Sequence, residues 1–225
     1  MARAARAARV ARAARVGTVI VDAIVLSGGR SSRLGSVAKS ELSFAGHTLL
    51  HLTLSTVAAS RQIVVVGPPP QEPLPDGVLR TREDPAFGGP AAGIAAGMEM
   101  LAAFTEKRGD AVLVIACDMP HVDAVIPLLV DGLARYPDAD GVVPIDADGY
   151  RQLLAAGYRS SALTAAITAQ HRAGSLHGLP VSRLMHDLEL ATIDVPDGAT
   201  ADVDTWEDAL RWGVVMQHQQ KESHE

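Results

Sequence analysis

The sequence has one cysteine, Cys117, among 225 residues. No internal disulfide can form, and a reducing, cytoplasmic setting is expected. Aromatic residues supply only 4% of the chain. The core must therefore rest on Ala, Val, Leu and Ile, as when strands pack under helices. No apolar run reaches the ~20 residues that a membrane-spanning helix needs, so no membrane partner is expected. The eight histidines show no metal-ligand spacing, and no Ser/His/Asp set is apparent from their order.

Positive charge is scarce outside one segment. Arg3, Arg6, Arg9, Arg12 and Arg15 supply five positive charges, so a net charge of −6 for the whole chain leaves −11 for the rest. An acidic body argues against nucleic-acid binding, which needs a basic face. An anionic substrate would have to be met by a few local cations and backbone N–H groups. The Ala/Arg run at 1–16 lacks the apolar block of a secretory signal and the large apolar residues of an interfacial helix. Its arginines, three apart, drift around a helix instead of forming one face. It is expected to be a disordered or frayed extension. The folded domain is expected over 17–213, followed by a frayed polar tail at 214–225.

The remaining chain alternates between strand and helix patterns. Short apolar runs predict strands at 19–26, 63–66, 78–81, 111–116, 141–145, 153–158 and 190–195. Helical spacing predicts helices at 48–59, 91–104, 122–136 with a kink at Pro127, 162–171, 181–186 and 205–212. Such alternation implies an α/β fold with a mostly parallel sheet and helices on both faces. Ligands of such sheets gather beyond the carboxyl ends of the strands.

Two motifs fall at such ends. Leu26-Ser27-Gly28-Gly29-Arg30-Ser31-Ser32-Arg33-Leu34-Gly35 leaves the first strand. Gly28 and Gly29 let backbone N–H groups approach an anion, and Arg30, Arg33 and Lys39 add positive charge. A triphosphate needs this combination, although a glycine-rich turn with solvated arginines would look the same. The loop has neither a Walker lysine nor the G-x-G-x-x-G of dinucleotide folds. Asp118 follows the apolar run 111–116 and precedes Met119-Pro120. Its carboxylate needs a partner, which is either a hard cation or the N-terminus of the next helix. Cys117 reads as a small buried residue.

Asp202-Val203-Asp204-Thr205 places two carboxylates on one side of an extended segment, to share a metal or to cap the following helix. Glu83-Asp84-Pro85 and Gly88-Gly89-Pro90 lead into a helix whose N-terminus could face a ligand. Gly93 and Gly97, one turn apart, let that helix pack closely.

In order and spacing these motifs resemble the molybdenum cofactor guanylyltransferase family, within the nucleotidyltransferase superfamily. The resemblance is carried by L-S-G-G-R-S-S-R-L-G at 26–35, Lys39, E-D-P-A-F-G-G-P-A-A-G at 83–93, C-D-M-P at 117–120 and D-V-D-T-W-E-D at 202–208. It implies a Rossmann-like three-layer αβα domain that transfers GMP from GTP to the molybdopterin cofactor and releases pyrophosphate. It further implies a nucleotide site at Leu26, Ser27, Gly28, Gly29, Lys39, Asp84 and Asp118. Lys39 and Arg33 would hold pyrophosphate, and Mg²⁺ would sit on Asp118 with Asp204. Transient contact with cofactor-synthesis or molybdoenzyme partners would fit such a role. Gly29 after Gly28 matches the guanylyl branch, whereas the cytidylyl branch reads L-A-A-G.

The sequence departs from the family in three places: Ala38 where Asp is frequent, Ser27 for Ala, and Asp202-Val203-Asp204-Thr205 for Asn-x-Asn-Thr. The alternatives are a nucleotidyltransferase using CTP or another acceptor (phospholactate, sugar phosphate or polyol phosphate), and a nucleotide-binding protein without transfer activity, to which Ala38 points.

Overall fold

The computed structural model describes residues 19–28, 38–104 and 109–216. The run at 1–16, Gly29, Arg30, Arg33 and the end of the chain from 217 lie outside them. Seven strands form the main sheet. In chain order they are β1 (Val21–Leu26), β4 (Ile63–Val66), β5 (Val78–Thr81), β6 (Ala111–Ala116), β7 (Gly141–Ile145), β8 (Ala155–Arg159) and β9 (Leu190–Asp194). Their order in space is β5-β4-β1-β6-β8-β7-β9. Every neighbouring pair is parallel except the two made by β8, which runs antiparallel to β6 and β7.

The continuous apolar runs follow from burial on both faces. Ala23 and Val25 face one core while Ile24 and Leu26 face the other, and β4 and β6 alternate in the same way. Helices α1 (Leu49–Thr56) and α3 (Ile126–Arg135) cover the first face; α2 (Pro90–Phe104), α4 (Ser160–Ala173) and the single turn α5 (Val181–Leu184) cover the second. The result is the expected three-layer αβα arrangement. A Cβ on Gly97 would lie 2.9 Å from Ile24, and one on Gly93 would lie 3.3 Å from Leu26. The two glycines thus let α2 settle on β1.

Pro127 does not kink a long helix. A 3-10 turn at Val122–Ala124 comes first, and α3 then begins at Ile126 with Pro127 in its first turn, where the missing N–H costs nothing.

A second, three-stranded sheet escaped the sequence reading. Strands β2 (Leu42–Phe44) and β3 (His47–Thr48) form a hairpin through Ala45 and Gly46, with φ of 49° and 86°. Two positive φ values are what a tight hairpin of this twist requires. The third strand, β10 (Val215–Met216), pairs antiparallel with β2, and Val214 is buried beside it. The folded body therefore continues to Met216 and does not stop at 213. Between β9 and β10 lies α6 (Trp206–Arg211).

Candidate active site

The parallel pairing of β1 with β6 continues beyond both strands, because the Cys117 N–H donates to the Leu26 carbonyl at 3.0 Å. Ser27 and Asp118 therefore emerge side by side at the carboxyl edge of the sheet. Ser27 is held from β4 as well: its N–H donates to the Val66 carbonyl at 2.9 Å. Gly28 then passes Gly67, and a Cβ on Gly28 would sit 3.6 Å from the Gly67 Cα. Two glycine backbones thus form one wall of a cavity of about 480 Å³.

Of the residues singled out from sequence, Leu26, Ser27, Gly28, Lys39 and Asp118 all line this cavity. Glu83, Phe87 and Gly89 from the motif at 83–93 line it as well, and so do Arg82, Gly67, Pro68 and Leu154, to which the sequence motifs assign no role. Arg82 stacks over the Phe87 ring at 5.0 Å. The Phe87 N–H donates to Glu83 Oε1 at 3.0 Å, and Phe87 takes a φ of 63°. Asp84 is exposed and is not among the lining residues. Phe87 lies within the motif at 83–93, whereas the sequence signal for Arg82 is its place directly before that motif.

Charge concentrates where three distant segments meet. Lys39 opens a 3-10 turn at Lys39–Glu41. Its Nζ donates to Asp118 Oδ2 at 2.9 Å and also to Asp204 Oδ1. Burial lowers the Lys39 pKa, but the Asp118 and Asp204 carboxylates raise it by more, and the ammonium stays charged at any physiological pH. Asp118 caps no helix. The next turn has His121 at its N-cap position, without a side-chain bond.

Neither Asp202 nor Asp204 is a cap, since Thr205 takes that role for α6 in a reciprocal capping box with Asp208. The Asp204 carboxylate is instead engaged by Lys39. One carboxylate oxygen from each of Asp118, Asp202 and Asp204 lies within 4.8 Å of the others. Partial burial and the charges of Asp118 and Asp204 raise the Asp202 pKa. Three hard oxygen donors crowded together in this way fit a divalent cation such as Mg²⁺. Cys117 is buried, and burial together with the Asp118 charge pushes its thiol pKa up. It is therefore a neutral packing residue.

With this geometry in hand, known proteins give a consistent picture. The family model described as MobA-like NTP transferase domain matches residues 23–186. The chain belongs to that family. Molybdenum cofactor guanylyltransferase of Pseudomonas fluorescens (strain SBW25) is 36% identical over 111 residues, 48% of this chain and 52% of that protein. Probable molybdenum cofactor guanylyltransferase of Methanosarcina acetivorans is 36% identical over 131 residues, 52% of this chain and 54% of its own length. The chain thus spans about half the length of these curated relatives.

Two solved structures share the fold. Molybdopterin-guanine dinucleotide biosynthesis protein A from Archaeoglobus fulgidus superposes with a TM-score of 0.62 at 19% identity, covering 89% of this chain and 99% of that one. The 2-C-methyl-D-erythritol 4-phosphate cytidylyltransferase of Thermus thermophilus also reaches 0.62 at 19% identity, over 86% and 96%. Among the described residues no helix is long and apolar enough to cross a membrane.

Proposed function

We propose that the protein transfers GMP from GTP to the molybdopterin cofactor, forming the guanine dinucleotide cofactor and releasing pyrophosphate. The observation that carries this reading is that Lys39 and Asp118, both on the cavity lining, meet Asp204 in one charged cluster. The names of the two curated relatives supply the acceptor and the base.

The cavity's walls suit the two halves of a nucleotide. Leu26, Val66, Pro68 and Leu154 offer apolar surface to a flat base. The bare backbone at Gly28 can approach phosphate oxygens closely. A terminal phosphate oxygen of the acceptor attacks the α-phosphorus of GTP. The new P–O bond forms as the bond between the α-phosphorus and the bridging oxygen breaks, and the electron pair leaves with pyrophosphate. Lys39, with Arg33, donates to the departing phosphates as their charge grows.

Asp118, with Asp204 and Asp202, would hold Mg²⁺, which when bound offsets the charge of the reacting phosphates. The side chains position and neutralise, and no covalent enzyme intermediate is needed. Cys117, buried with its thiol protonated, is no rival nucleophile. The single cysteine fits a reducing, cytoplasmic setting.

A second reading draws on Asp202-Val203-Asp204-Thr205, the form common in related nucleotidyltransferases. In it the same site uses CTP or transfers to another phosphorylated acceptor. Thermal shift decides the base, and the mass of the transfer product decides the acceptor. GTP with Mg²⁺ is expected to raise Tm more than CTP, ATP or UTP, because ligand at ~100 times its Kd adds ~2.7 kcal/mol. Preferential stabilisation by CTP would overturn the guanylyl assignment.

A further inference from the structure

Each of the three segments that deliver a charged site residue also delivers one aromatic ring to a common column. Phe44 lies five residues after Lys39, at the end of β2. His121 lies three residues after Asp118. Trp212 follows α6, eight residues after Asp204. The Phe44 and His121 rings meet edge to face, with centroids 5.2 Å apart and planes at 84°. His121 then meets Trp212 at 5.5 Å and 72°. Edge-to-face pairs at these distances have a preferred geometry that an aliphatic contact lacks.

The column also reaches the loop that carries the late carboxylates. A Cβ on Gly198 would lie 2.7 Å from Trp212 Cη2, so the backbone leading to Asp202 rests directly on the indole. On the far side of that loop, the Val203 N–H donates to the Asp118 carbonyl at 3.0 Å. Phe44 and Trp212 pack against the small core that contains Val203, and the half-buried His121 ring lies between them. It bridges the hairpin to the C-terminal segment at the point where the Asp118 loop passes between them.

We propose that Phe44, His121 and Trp212 are positioning residues that hold the Lys39, Asp118 and Asp204 segments in register. His121 is the central ring. The consequence for metal and turnover rests on the transferase reading above; the positional claim itself does not. None of the three rings lines the cavity. Their effect passes through the Val203–Asp118 hydrogen bond and through the spacing of the carboxylates.

The test is amide hydrogen exchange on the full chain with His121→Ala and His121→Phe, read at Val203, with the amides of β1 as the measure of global opening. In His121→Ala, Val203 is expected to exchange about tenfold faster while β1 keeps its protection. His121→Phe, which retains a ring, restores the wild-type rate. Mn²⁺ titrated without nucleotide should bind about tenfold more weakly to His121→Ala and normally to His121→Phe. If His121→Ala does not fold, Trp212→Leu is read in the same way. Unchanged Val203 protection in the alanine variant overturns the proposal. So does a phenylalanine variant as defective as the alanine one. The exchange measurement needs neither nucleotide nor metal, so absence of any transferase activity would sink the function without deciding this point.

Discussion

Asp118→Asn keeps the shape of the side chain and removes its charge, and the structure sets what should follow. Asp118 and Lys39 are each 20% exposed in their side chains and form one half of a shared contact, since Lys39 also holds Asp204. An ion pair still open to water contributes at most ~1 kcal/mol. The substitution also relieves repulsion among three carboxylates within 4.8 Å of one another. Asp118 makes no cap bond whose loss would matter, and its backbone carbonyl still receives the Val203 N–H. The fold should therefore survive, with Tm moved by no more than about 4 °C in a chain of this size.

Turnover should fall much further. Removing one preorganised electrostatic contact to the transition state costs ~100- to 1,000-fold, or ~2.7–4 kcal/mol. Pyrophosphate release as a function of Mg²⁺ concentration is the assay, run beside Asp204→Asn. The latter should be milder, because the Asp204 side chain is 44% exposed against 20% for Asp118. Wild-type turnover in Asp118→Asn, or a loss of activity explained by a large drop in Tm, would refute the reasoning.

Two predictions concern the frame around the site. Thr205→Ala removes the cap of α6 and should cost ~1 kcal/mol in denaturant unfolding. The hydrogen bond from Thr205 holds the Asp208 carboxyl below its ordinary value of 3.8. Its contribution is therefore complete above that value and is lost as pH falls through the lower, folded-state value. Asp208→Asn should accordingly be less stable than wild type at pH 7, with a gap that closes in acid; a gap independent of pH would contradict the assignment. At the opposite end of the sheet, Asp22 is fully buried and receives Arg61 Nε at 2.9 Å, Arg61 Nη2 at 2.7 Å and the Gly109 N–H at 2.8 Å. Asp22→Ala should cost ~3 kcal/mol or more, and a loss under ~1 kcal/mol in urea unfolding would show that the cluster relaxes freely.

The parts of the fold that were legible in the sequence are those with a strong local signal. The runs around Ile24, Val65 and Val114 are apolar throughout because both faces of the sheet are covered. Gly93 and Gly97 sit one turn apart because α2 must approach β1. Lys39 and Asp118 each stand out in the sequence by their chemistry. Their contact joins residues 79 apart in the chain, and no local pattern announces it.

The missed features are short or depend on distant partners. Strands β2, β3 and β10 are two or three residues long, too short for a period to register, and Ala45 hides the tight turn that Asn or Gly would have advertised. The antiparallel setting of β8 leaves no mark on its own composition. Thr205 was overlooked as the cap because two aspartates precede it. Asp22 interrupts an apolar run, and its meaning depends on Arg61 and Gly109, which only the fold brings to it.

The central claim is guanylyl transfer to the molybdopterin cofactor. The most direct measurement mixes the full chain with Mg²⁺, molybdopterin cofactor and either GTP or CTP, then follows pyrophosphate release and the mass of the product. Pyrophosphate and a guanine dinucleotide product are expected with GTP, little with CTP, and almost none in Asp118→Asn. A cytosine dinucleotide formed in preference, or GTP bound without release of pyrophosphate, would contradict it.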